Sequence, residues 1–177
     1  GDPDARWDFS PLYQELTLLP LLVYIPGAAP GSYAGLTSAI DLMPTVLDIM
    51  GRGVPDWVEG RSLLTSVQDR STPGREYAIS TVPFANPGEP VRSVDNMSRN
   101  LARALVTTVT VDQWTLLDSA DEGLSELYHL PSDPSQQRNV ISDNPKVARD
   151  VHEYLVRFMR ETNLPEYLLK PRRELRI

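Results

Sequence analysis

The chain has 177 residues, of which 41% are apolar and 23% charged, with a formal net charge of −7 and no cysteine. That length suits one domain, or one small domain plus a piece of another, and can bury on the order of 70% of its unfolded surface. The acidity argues against a nucleic-acid partner, and the missing cysteine excludes disulfides, thiolate metal sites and thiol nucleophiles.

In chain order, residues 1–11 are polar and carry Pro3 and Pro11, which reads as irregular. Leu12 to Leu16 can open a short helical turn. The run Leu16 to Ile25, broken by Thr17 and Pro20, is too short to cross a bilayer. No signal segment opens the chain. Gly1 rather than Met stands first, which points to a cut or processed chain, so localisation stays open. Leu21-Leu22-Val23-Tyr24-Ile25, closed by Pro26-Gly27, predicts a strand buried on both faces. Such strands belong to helix-covered sheets, yet few strand partners follow nearby.

A Gly/Ala/Pro loop leads to Asp41-Leu42-Met43-Pro44-Thr45-Val46-Leu47-Asp48-Ile49-Met50-Gly51. Asp41 suits an N-cap, Pro44 the first turn and Gly51 the C-terminal stop. A helix this apolar all round should be deeply buried. After loop-rich residues 53–74, strands are predicted at Glu76–Val82, Ala104–Val111, Gln113–Leu117 and Leu124–Leu130. A Pro/Gly/Asn loop, Phe84 to Pro90, follows the first. Short turns between strands suggest an antiparallel meander. Asp143-Asn144-Pro145 starts a helix. Val147, Val151, Tyr154, Leu155 and Phe158 should face the meander, with His152 on the polar side. A charged tail, strap or disordered, follows from Pro165.

The order of these blocks resembles the sulfatases of the alkaline-phosphatase-like superfamily, of arylsulfatase type, over roughly residues 7–160. The matching stretches are Leu12-Tyr13-Gln14-Glu15 with Leu19 to Gly27, Asp41 to Gly51, Pro55 with Gly60-Arg61-Ser62-Leu63-Leu64, and Trp114-Thr115-Leu116. Glu126-Leu127-Tyr128-His129-Leu130 follows, with Asp133-Pro134 and Asn139-Val140. The resemblance implies an α/β fold. Residues 1–62 would end the large catalytic domain with its last strand and helix, and 63–75 would link. Residues 76–162 would form a small C-terminal α+β subdomain, a four-stranded meander with one helix, before a tail at 163–177. That subdomain would buttress the large domain and wall the pocket of a metal-dependent sulfuric ester hydrolase.

In that family a formylglycine nucleophile, made from Cys or Ser in C/S-x-P-x-R, and a divalent metal, usually calcium on Asp and Asn oxygens, precede these blocks. The expectation is therefore no catalytic, cofactor or metal-ligating residue here, with calcium and formylglycine belonging to the intact parent. Ser71-Thr72-Pro73-Gly74-Arg75 fits S-x-P-x-R formally but reads as a Pro-Gly turn. Phe9 stands where the family tends to have a lysine, with Arg6 and Asp8 nearby, and Trp7 reads as a packed aromatic. His129 and His152 lack ligand partners at metal spacing. Asp118, Asp121, Glu122 and Glu126 read as a solvated hairpin, Asp41 as a helix cap, and Asn96-Met97-Ser98 as a sequon relevant only to a secreted eukaryotic protein. The expected partners are the upstream part of the catalytic domain and, in the parent, a sulfate ester. Alone, the chain should self-associate or leave residues 21–50 sticky. A phosphoryl-transfer relative and a non-catalytic interaction module are the alternatives.

Overall fold

The computed structural model describes residues 12–81 and 106–177. The expectations for Arg6, Trp7, Asp8, Phe9, the Phe84–Pro90 loop and the Asn96 sequon lie outside them. The chain separates into two compact units, one of residues 20–78 and one of residues 1–19 with 79–177.

The second of these holds a four-stranded sheet of β1 (Ala78–Thr81), β2 (Thr107–Thr110), β3 (Trp114–Asp118) and β4 (Glu126–His129), in that order. β2–β3 and β3–β4 are antiparallel. β-branched and aromatic residues supply the strands, as such side chains fit a pleated surface. The β2–β3 turn is tight, with the Val111 N–H donating to the Trp114 carbonyl. Gly123 has φ +74° in the β3–β4 loop, a conformation that favours glycine.

Register sorts the two faces. Val109, Leu116 and Leu127 form one cross-strand row, fully buried. The long helix, here α4 (Pro145–Glu161), completes this core with Ala148, Val151, Leu155, Val156 and Met159. The opposite face carries Thr108, Leu117 and Glu126 in one row and Thr115 with Tyr128 in the next. It receives the segment around α1 (Gln14–Thr17), as the Thr108 hydroxyl donates to the Leu12 carbonyl at 2.8 Å.

The α4 stripe differs from expectation. Its buried residues are Ala148, Val151, His152, Leu155, Val156 and Met159, whereas Phe158 is only partly buried. Spacings of three and four keep those six on one face, so the core side is rotated about one residue from the predicted stripe and takes in His152. The C-terminal stretch is an ordered strap. It contains α5 (Glu166–Leu169) and a 3-10 turn (Lys170–Arg172), with Leu169 in the core and Arg172 buried.

The unit of residues 20–78 contains a 3-10 turn (Ala39–Asp41), α2 (Leu42–Ile49) and α3 (Leu64–Gln68). Leu21–Ile25 joins no strand ladder among the described residues, and Leu22 is 96% exposed. α2 buries only Pro44 and Thr45, leaving Leu42, Met43, Val46 and Ile49 exposed. The apolar sequence was read correctly for composition, but burial needs neighbouring surface, and the described residues provide little of it here.

Candidate functional site

The polar centre of the smaller unit is Asp41, 1% exposed. It stands at the N-cap position of α2 and caps the preceding 3-10 turn, its side chain accepting from the Ser38 N–H at 2.9 Å in a capping box, though it makes no side-chain bond into α2 itself. Its carboxylate also accepts from the Arg61 N–H at 2.8 Å and the Arg75 guanidinium, whose Nε lies 2.8 Å from Oδ2. The Arg75 Nη2 also donates to Oδ1. Burial pushes the Asp41 carboxyl up, but the hydrogen bonds from Arg75, Arg61 and Ser38 and the charge of Arg75 together hold it below its ordinary value. Arg75 is correspondingly raised, chiefly by its hydrogen bond to Asp41.

Two further bonds connect α2 to the Gly60–Leu64 stretch. The Leu63 N–H donates to the Thr45 hydroxyl at 2.8 Å, and the Ser62 hydroxyl to Asp48 at 2.6 Å. A Cβ at Gly60 would fall 1.9 Å from the Ile40 carbonyl oxygen, so only glycine allows this approach. A shallow cleft opens beside this hub, lined by Tyr33, Arg61, Ser62, Thr65, Thr72 and Arg75 among others.

The Ser71-to-Arg75 stretch borders that cleft through Thr72, Pro73, Gly74 and Arg75. The Ser71 hydroxyl and N–H both donate to Asp69 Oδ1, at 2.7 and 2.9 Å. Arg75 is held by Asp41, and a Cβ at Gly74 would meet the Leu36 nitrogen at 2.5 Å. This is a turn locked by close backbone approach.

In the sheet unit, Glu126 and Asp118 are not solvated hairpin acids. One oxygen of Glu126 accepts from the hydroxyls of Tyr13 at 2.9 Å and Tyr128 at 2.8 Å. Burial and the Glu126 carboxylate raise both phenols. Asp118 is 1% exposed and accepts from Arg172 at 2.6 Å. Asp121 and Glu122 are exposed, as expected. His129 is partly exposed, with Nδ1 2.8 Å from the Ser132 hydroxyl and its ring 4.6 Å from Trp114. Asp133 accepts from the Gln137 and Arg138 N–H groups, and Asn139 Oδ1 from those of Leu127 and Ile141.

The buried acids are thus committed to arginine, tyrosine or backbone donors. Among the described residues no group of three or more His, Cys, Asp and Glu side chains converges as for a metal ion. No described helix is long and apolar enough to cross a membrane. Sequence reading missed the Asp41–Arg75 pair and the Tyr13–Glu126–Tyr128 cluster. Their partners lie 34 and 113 positions apart, beyond any local pattern.

No family model matches the chain. It is 26% identical over 163 residues to arylsulfatase K of Xenopus laevis, covering 81% of this chain and 29% of that protein. It is 22% identical over 146 residues to an N-acetylgalactosamine-6-O-sulfatase of Bacteroides thetaiotaomicron, covering 81% and 27%. The structure of a phosphonate monoester hydrolase from Silicibacter pomeroyi matches with a TM-score of 0.55 and 25% identity, over 82% of this chain and 29% of that one. The chain therefore spans less than a third of the length of these three proteins. Fold and motif order together define a portion of an alkaline-phosphatase-like protein. Within that superfamily the curated relatives that the chain resembles are sulfatases.

Proposed function

We propose that this chain is the non-catalytic C-terminal portion of a metal-dependent sulfuric ester hydrolase, buttressing the catalytic domain and walling its pocket. The observation that carries this reading is the interlock of the Asp41 and Gly60–Leu64 blocks through Asp41, Thr45 and Asp48. The blocks that resemble sulfatases make structural bonds to one another, and Asp41, Asp48, Glu126 and Asp133 within them already accept hydrogen bonds. The names of the sulfatase relatives support a sulfate-ester substrate for the whole protein. Calcium and a formylglycine nucleophile would be held by the part of the protein lying upstream of these blocks. The same upstream part would cover the exposed apolar side chains of residues 21–50.

The test is an aryl-sulfate assay of this chain with calcium. No turnover is expected. Turnover that survives repurification and disappears in Ser71→Ala would overturn the non-catalytic reading. A phosphoryl-transfer parent is the second reading, favoured by the phosphonate monoester hydrolase match. Assaying the whole protein on aryl sulfate and on aryl phosphonate monoesters separates the two: preference for the phosphonate would replace the sulfatase reading.

A further inference from the structure

Three elements of the sheet unit meet at one buried cluster. β3 brings Asp118, α4 brings His152 and the C-terminal 3-10 turn brings Arg172, each less than a tenth exposed. Arg172 donates to Asp118 Oδ2 at 2.6 Å and reaches its backbone carbonyl at 3.3 Å. His152 Nε2 lies 3.6 Å from Asp118 Oδ1, buried and without a hydrogen-bond partner. The Arg172 backbone also bears on the His152 ring, favouring its charged form.

We propose that His152, Asp118 and Arg172 form an acid-released latch that holds the C-terminal strap, residues 165–177, against the sheet. The latch closes with His152 neutral. A proton on Nε2 would place a second buried cation beside Arg172, with one carboxylate between them already engaged by that arginine. Burial of all three side chains makes the added charge costly to solvate. Burial is the main influence holding His152 below its ordinary value, and Arg172 acts in the same direction. Asp118 from β3, Glu153 from α4 itself and the Arg172 backbone oppose it but do not prevail. β2, also packed on α4, carries only Thr107, Thr108, Val109 and Thr110. On α5, Glu166 is exposed and paired with Arg173.

The strap is the part that yields. α4 buries six side chains, whereas the described strap buries Leu169 and Arg172. Releasing the strap would give His152 access to water and to a proton. The released state then binds more protons than the docked state between the docked and free pKa values. Docking is therefore strongest above the free value and weakens as pH falls through that window.

Hydrogen exchange of the full 177-residue chain between pH 5 and 8, corrected for intrinsic rates, tests this. Protection of residues 166–175 should fall by up to about tenfold per pH unit below roughly pH 6.5, while α4 stays protected. His152→Gln should abolish the step, and His129→Gln, at the other of the two histidines, should keep it. A flat profile, protection that rises on acidification, or a step surviving in His152→Gln would overturn the latch. Should His152→Gln fail to fold, the imidazole resonances of the unmodified chain decide. His152 should titrate below the ordinary imidazole value of about 6.5, and a midpoint at or above that value would overturn the proposal.

Discussion

The Arg75 guanidinium forks onto the carboxylate of Asp41, with Nε 2.8 Å from Oδ2, across 34 positions of sequence. In a unit whose helices span eight and five residues, this pair and the backbone donors beside it fix the path of the chain. Arg75→Ala would leave Asp41 buried without its counter-ion, at a cost of about 3–5 kcal/mol. Urea unfolding followed by hydrogen exchange at residues 42–49 should show that loss. A cost under about 0.5 kcal/mol would mean that the two backbone donors suffice alone.

The same pair sets a dependence on acid. The folded-state pKa of Asp41 lies below its ordinary value, so its contribution is complete above about pH 4–5 and is lost as pH falls through the lowered value. Asp41→Asn should remove that acid-dependent loss while starting from lower stability. Identical acid profiles for both proteins would show that other carboxylates dominate.

On the opposite side of the sheet from α4, Tyr13 and Tyr128 share one oxygen of Glu126. Each bond joins a neutral donor to a carboxylate, so Tyr13→Phe should cost about 1.5–3 kcal/mol. Because both phenols use the same acceptor, the double variant Tyr13→Phe/Tyr128→Phe should deviate from additivity. Additive costs within about 0.5 kcal/mol would show that the two bonds are independent.

The sheet was legible in the sequence because its information is local. Alternation at Thr107–Thr110 and Trp114–Asp118 and the apolar residues of Glu126–His129 mark the strands, and the polar turns between them set the hairpin order. α4 was legible as an amphipathic helix, but not to the residue. Val147 and Phe158 satisfy helical spacing as well as Ala148 and Met159 do, and tertiary contact chooses the latter pair. The charged clusters were hidden for the opposite reason. Glu126 and Asp118 look solvated in sequence, and Asp41 shows only its capping role, because Tyr13, Arg172 and Arg75 lie far along the chain. Leu21–Ile25 shows a third limit. Its composition fits a doubly buried strand, yet it pairs with no strand among the described residues.

The rotated stripe of α4 gives a direct check on packing. Met159 is 3% exposed, so Met159→Ala should cost about 2–5 kcal/mol. Phe158 packs at the edge of the core, and its truncation should cost less than the roughly 3–5 kcal/mol of a fully buried phenylalanine. Thermal or urea unfolding of the two variants should rank Met159→Ala as the more damaging. The reverse order would place the phenylalanine ring in the core and the methionine at its margin.

The apolar residues of the smaller unit give the last test. Leu22, Tyr24, Val46, Met50 and Trp57 are all more than half exposed. Such side chains gain about 25 cal/mol for each Å² removed from water, so a surface rich in them favours any contact that covers it. The isolated chain should therefore associate with itself as concentration rises, seen in sedimentation as a growing weight-average mass. Replacing Leu22, Tyr24 and Met50 by serine distinguishes this from a folding defect. Exposed side chains hold little native-state packing, so each change should alter unfolding free energy by no more than about 0.5 kcal/mol. The triple variant should nevertheless remain monomeric at concentrations where the parent chain associates. If these serines instead destabilised the unit, the side chains would be part of its own core. If the parent stayed monomeric at high concentration, with residues 21–50 as protected from exchange as the sheet, the unit would need no further surface to complete it.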